Sequence, residues 1–155
     1  MDRDRLLKIF RQTNALLRGH FELSSGLHSG HYFQCALFLQ HPKDAASVCR
    51  ELAMRFRRRR PHVVVGLAVG GIIVAFEVAR HLKARSIFTE REKDAMKFRR
   101  GFEILRGERV VVVEDVITTG DSVRFARARA CFQVRRLTSD PAERAGARPT
   151  WVART

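Results

Sequence analysis

The chain is short of acids, short of cysteine and without internal repeats. Its 155 residues hold sixteen Asp and Glu against thirty Lys and Arg, a formal net charge of +14. The three cysteines, Cys35, Cys49 and Cys131, are odd in number, far apart and form no Cys-x-x-Cys pair. That argues against a disulfide framework or a zinc site and for a reducing compartment, the cytoplasm. No apolar run is long enough to cross a bilayer, so no membrane partner is expected. The opening MDRDRLLKIF alternates acids and bases where a signal peptide would need an apolar core. The basic surplus would suit nucleic acid or a phosphorylated substrate. Yet the arginines are spread along the chain, and the one run, Arg57 to Arg60, closes a predicted helix and reads as a solvated face. RNA-binding aromatic signatures and zinc-finger spacings are both missing, so a nucleic-acid partner is not expected.

What is present is an ordinary globular composition, 45% hydrophobic, in a length that suits one domain with a real core. Leu6, Ile9, Phe10, Leu16 and Leu17 recur at helical spacing and predict a helix from about Asp4 to Gly19. An apolar, strand-like run begins at Tyr32. A second helix is predicted over Ala45 to Arg58, stopped by Pro61. HVVVGLAVGGIIVAFEVARHL then reads as strand, glycine turn and helix, and ARSIFTE as a further strand. REKDAMKFRRGFEILRGE shows no clear period, and a valine strand from Val110 leads into another turn and helix. Strand–turn–helix units of this kind predict an α/β domain with a mostly parallel sheet.

In such sheets ligands gather at the carboxyl ends of the strands. Two loops fall there. GLAVGGIIVA places Gly66, Gly70 and Gly71 between a strand and a helix, where small residues let backbone N–H groups approach an anion or merely allow tight packing. VVVVEDVITTGDS is more specific. Thr118, Thr119, Gly120 and Ser122 can wrap a phosphate at a helix start. Carboxylates repel phosphate, so Glu114 and Asp115 must serve another partner. Vicinal ribose hydroxyls suit them, because a carboxylate accepts two hydrogen bonds at once; a metal held through water is the alternative. Acids for the sugar and hydroxyls for its phosphate together describe a ribose 5-phosphate site.

That stretch resembles the phosphoribosyl pyrophosphate (PRPP) signature of the type I phosphoribosyltransferases. The resemblance implies their α/β fold, a mostly parallel central sheet flanked by helices with an N-terminal hood at about residues 1–40. It implies that Glu114 and Asp115 hold the ribose and that Val116, Ile117, Thr118, Thr119, Gly120, Asp121 and Ser122 cradle the 5-phosphate, Asp121 standing where many relatives have Gly. GHFELSSGLHSGHYFQCALFL resembles the hood of orotate phosphoribosyltransferases. GLAVGGIIVAFEVARHLKARSIFTERE is similar to their pyrophosphate loop with its succeeding helix and strand, Ala68, Val69, Gly70 and Gly71 forming the loop and Leu67 replacing a common Pro. MKFRRGFEI is similar to their mobile loop and its exit.

The implied reaction joins orotate to PRPP, with Mg2+ bridging the pyrophosphate, to give orotidine 5-monophosphate. Arg91, Lys93 and Lys97 are the implied catalytic cations, on a segment with Arg99 and Arg100 that could close as a lid. Arg91 also matches the family's PRPP-binding arginine. In the family this loop enters the neighbouring subunit, which implies a homodimer. Thr118, Ser24, Tyr32 and Phe33 are the implied orotate contacts, Ser24 standing where several relatives carry Lys. His28 and His31 also lie in the hood; either could face the base, and the plainer reading is a surface histidine.

The likeness stops after Val123, so the chain divides into a transferase domain, 1–123, and an atypical arginine-rich tail, 124–155. Read two bases later, codons for Arg148 to Thr155 can encode a family-like peptide, which predicts a shifted reading frame; an authentic variant tail is the alternative. Rival functions are a regulatory protein on the same fold that binds nucleic acid through its arginines, and a transferase for another base.

Overall fold

The computed structural model describes residues 1–23, 26–93 and 95–116. Helix α1 (Arg3–Gln12) is capped by Asp2, whose carboxylate accepts the Arg5 N–H at 2.8 Å and satisfies one of the donors a helix start leaves open. It ends where the Thr13 hydroxyl donates to the Ile9 carbonyl and Asn14 turns left-handed at φ 53°. The helix is therefore shorter than its periodicity predicts. Leu16 and Leu17 belong instead to strand β1 (Leu16–Glu22), paired antiparallel with β2 (His28–Phe33) in a separate two-stranded sheet.

The apolar run from Tyr32 also divides. β2 stops at Phe33, and Cys35–Leu39 forms helix α2, on which Cys35, Phe38 and Leu39 share one buried face. Helix α3 (Pro42–Phe56) begins earlier than predicted because Pro42 sits in the first turn, where its missing N–H costs nothing. A 3-10 turn, Arg57–Arg59, and a left-handed Arg60 close it, and all four arginines of this run are exposed. From there the predicted alternation holds: β3 (Val63–Leu67), α4 (Gly70–Leu82), β4 (Arg85–Glu92) and, later, β6 (Val110–Val113). The charged segment without a period contributes β5 (Ala95–Phe98), an antiparallel partner of β4.

The main sheet runs β5-β4-β3-β6, with β3 parallel to both β4 and β6. It is mostly parallel, as expected. Val63 stands beside Val110, Val64 beside Val111 and Val65 beside Val112, so the pleat sends alternate valines to opposite faces. Val64, Val111 and Val113 join residues of α1 to α4, among them Ile9, Phe38, Cys49, Phe56 and Val78. Val63, Val65, Leu67, Val110 and Val112 pack with Ile87, Met96 and Ile104 on the other side. A strand buried on both faces reads as a continuous apolar run, and this explains the valine blocks. Each fully buried valine contributes roughly 1.5–3 kcal/mol. The two blocks thus fix β3 and β6 side by side, with their carboxyl ends together.

The β4–β5 hairpin is laced by two ion pairs, Lys97 with Glu92 and Arg100 with Glu90, the latter at 3.1 Å. Hydrogen bonds from Lys97 and Arg100 hold the two glutamates below the usual carboxylate range. A lowered folded-state pKa stabilises the hairpin above the unfolded value, and that contribution is lost as pH falls through the folded pKa. Exposure keeps the effect small. In a carboxyl-carbon NMR titration, Glu92 should have a midpoint below that of a free glutamate, and Lys97→Met should return it toward normal. An unchanged midpoint would show that the pair does not form.

Candidate functional site

The site is built where β3 and β6 end. After Leu67 the chain leaves the sheet through Ala68 and Val69 and starts α4 at Gly70. The Ala68 N–H donates to the Thr89 carbonyl of β4 at 2.9 Å, so the loop is tied to the neighbouring strand. The Ala68–Val69 peptide is cis, and Val69 is exposed.

Two glycines, Gly66 and Gly70, let this turn lie close to the sheet, and at Gly71 a side chain would make only ordinary contacts. A Cβ on Gly66 would stand 2.3 Å from the Gly71 carbonyl oxygen, a backbone atom that cannot swing aside. One on Gly71 would meet the Val113 carbonyl at 3.4 Å and the Glu114 Cα at 3.6 Å. At Gly70 it would lie 2.2 Å from Asp115 Oδ2 and 2.6 Å from Asp115 Cγ. The Asp115 carboxylate therefore occupies the space that the missing Gly70 side chain leaves open. It also sits at the positive end of α4, which favours a negative group there. The glycine loop and the acid pair, separated by more than forty residues of sequence, make one site.

Glu114 and Asp115 are half-buried, and Val116 is exposed. Cys35, at the start of α2, lies within electrostatic reach of Asp115. Burial pushes its thiol up to about 12, and the nearby Asp115 carboxylate and then Cys49 add to the effect. Burial, then the charge of Glu77, pushes Cys49 up to about 12 as well. Both cysteines are free and buried, so neither offers a reactive thiolate.

The cations expected at the site stand to one side. Arg91 lies near the end of β4, exposed, and Lys93 occupies a left-handed position at φ 53° in the hairpin turn. Lys97 lies on β5 and is engaged by Glu92. β3 separates β4 from β6, and two strand spacings make roughly 10 Å. The expected hood contacts divide as well. Tyr32 and Phe33 are adjacent in a strand, so they face opposite ways. Phe33 packs edge-on against Phe10 with ring centroids 4.6 Å apart, while Tyr32 is 40% exposed and stacks near Phe21. Ser24, Ile117, Thr118, Thr119, Gly120, Asp121 and Ser122, like the tail 124–155, lie outside the described residues.

Comparison with known proteins fits this geometry. The model of the phosphoribosyl transferase domain matches residues 38–129, more than half of the chain. The chain belongs to that family. Its fold is the type I phosphoribosyltransferase fold, an α/β domain with a mixed, mostly parallel sheet and flanking helices. It is 60% identical over 124 residues to the orotate phosphoribosyltransferase of Pelotomaculum thermopropionicum, covering 80% of this chain and 65% of that protein. With the orotate phosphoribosyltransferase of Desulforamulus reducens it shares 54% over 123 residues, 79% of this chain and 64% of that one. The chain thus spans a little under two thirds of the length of these curated relatives. Among solved structures, the orotate phosphoribosyltransferase from Aeropyrum pernix superposes with a TM-score of 0.66 at 29% identity, covering 85% of this chain and 74% of that one.

Sequence reasoning singled out both loops but not the contact between them. Glycine at a helix start signals a close approach without saying what approaches, and nothing in the sequence points to Cys35. The influence of Asp115 on Cys35 is open to test. Asp115→Asn should lower the pKa of the Cys35 thiol, read from the pH dependence of Cys35 alkylation by mass spectrometry, while burial keeps it above the ordinary thiol value. No change would mean that the carboxylate lies elsewhere.

Proposed function

We propose that this chain transfers the 5-phosphoribosyl group of PRPP to orotate, giving orotidine 5-monophosphate and pyrophosphate, a step of pyrimidine biosynthesis. The observation that carries this reading is the identity of up to 60%, over about 80% of this chain, with proteins named orotate phosphoribosyltransferase. In this reading Asp115 and Glu114 accept hydrogen bonds from the ribose hydroxyls, and Gly70 keeps Asp115 in place. The backbone of Ala68, Val69, Gly70 and Gly71 faces the pyrophosphate, and the residues after Val116 take the 5-phosphate. Breaking the glycosidic bond spreads positive charge over the ribose, which the two carboxylates are placed to stabilise.

Hard carboxylate oxygens at the open end of the sheet also suit Mg2+. Bound with PRPP, the ion would neutralise charge on the leaving pyrophosphate. Arg91, Lys93 and Lys97 ride on the β4–β5 hairpin, whose closure would bring cations over the site and exclude water. Val69, Ile73 and Phe76 lie along one exposed side of α4, and this apolar stripe supports a homodimer. No helix among the described residues is long and apolar enough to cross a membrane, and the cytoplasm is the compartment we assign.

The test is pyrophosphate release by the purified chain with PRPP and Mg2+, comparing orotate with purines and uracil. Orotate alone should support turnover, and Asp115→Asn should reduce kcat/KM by about 100-fold or more. Turnover with another base would reassign the substrate. Equal turnover by the variant would remove Asp115 from the mechanism. Salt-sensitive nucleic-acid binding without turnover would favour the regulatory reading.

A further inference from the structure

Two histidines of the β1–β2 hairpin face one another at the surface. His20 Nε2 lies 2.8 Å from His28 Nδ1, with ring centroids 4.7 Å apart and ring planes inclined by 40°. Both side chains are exposed. The proposed phosphoribosyl transfer uses neither imidazole.

The pairing has a local cause. Arg18 pairs with His31 and Phe21 with Ser29, so Gly19 and His20 together face only Gly30. The extra residue is a β-bulge, and bulges re-aim side chains. Gly30 presents no side chain in the way, and His20 reaches diagonally to His28. Glu22 stands directly across from His28 and is also exposed. Cross-strand partners share a face, so its carboxylate adds negative charge beside the pair.

At 2.8 Å one ring nitrogen donates its N–H to the lone pair of the other. A cation that replaces this shared proton can be held by both rings. We infer that His20 and His28 form a bidentate site for a borderline divalent transition-metal ion such as Zn2+, which clips β1 to β2. Imidazole nitrogens bind zinc at about 2.0–2.1 Å, and tetrahedral geometry sets two such ligands about 3.3 Å apart. Opening from the observed separation needs only a small rotation of exposed rings. Among the described residues no group of three or more His, Cys, Asp or Glu could hold a metal, so water completes the shell. Imidazole suits zinc, copper and nickel, whereas Mg2+ prefers oxygen, so this site does not compete for the Mg2+ proposed with PRPP.

The experiment is calorimetric titration of Zn2+ into the full chain without PRPP, for the parent, His20→Asn, His28→Asn and His31→Asn. The parent and His31→Asn should bind one zinc at this site, and either variant of the pair should weaken it by about tenfold or more. Imidazole nitrogen NMR gives a second reading: the His20 and His28 resonances should move with Zn2+, and those of His31, His41 and His62 should stay. Equal affinity in all four proteins, or a zinc-dependent shift that misses His20 and His28, would overturn the site.

Discussion

The structure depends on the close approach of one helix start to two strand ends. Gly66 and Gly70 remove the side chains that would crowd the helix start, and Asp115 fills the space left at Gly70. The valine blocks of β3 and β6 supply the force, since their burial on both faces pins the strands in parallel register. The proposed ribose phosphate site stems from that junction. It sets a carboxylate pair at a helix N-terminus, beside a loop whose backbone is tied to β4 through Thr89.

Two further pieces attach to the junction with more freedom. The β1–β2 hairpin forms its own sheet and meets the core through Phe33 and Phe10. The β4–β5 hairpin carries Arg91, Lys93 and Lys97 at the edge of the main sheet and is held by exposed ion pairs, which are weak. The dispersed arginines add a positive field around the molecule.

The middle of the main sheet was largely legible because β3 and β6 are buried on both faces and the turn from β3 into α4 is marked by glycine. The β3–α4 assignment rests on those signals, and the structure agrees with it and with the short β4 strand. Short elements were less readable. Leu16 and Leu17 continue a helical period but lie in β1, because Asn14 turns the chain first. Tyr32 to Leu39 looks like one strand but divides at Gln34, since tertiary burial of Cys35, Phe38 and Leu39 favours a helix. β5 was invisible, as its few residues alternate over too short a span to show a period. At the site, residue types pointed to Glu114 and Asp115, whereas the Gly70 contact and the His20–His28 pair arise only when distant or bulged segments meet.

The most direct measurement tracks the Asp115 carboxyl carbon by NMR in the parent and in Gly70→Ala. The account predicts that an added methyl displaces the Asp115 resonance and lowers orotate turnover, while the valine core signals of β3 and β6 stay in place. An Asp115 resonance and a turnover both unchanged by that methyl would contradict it.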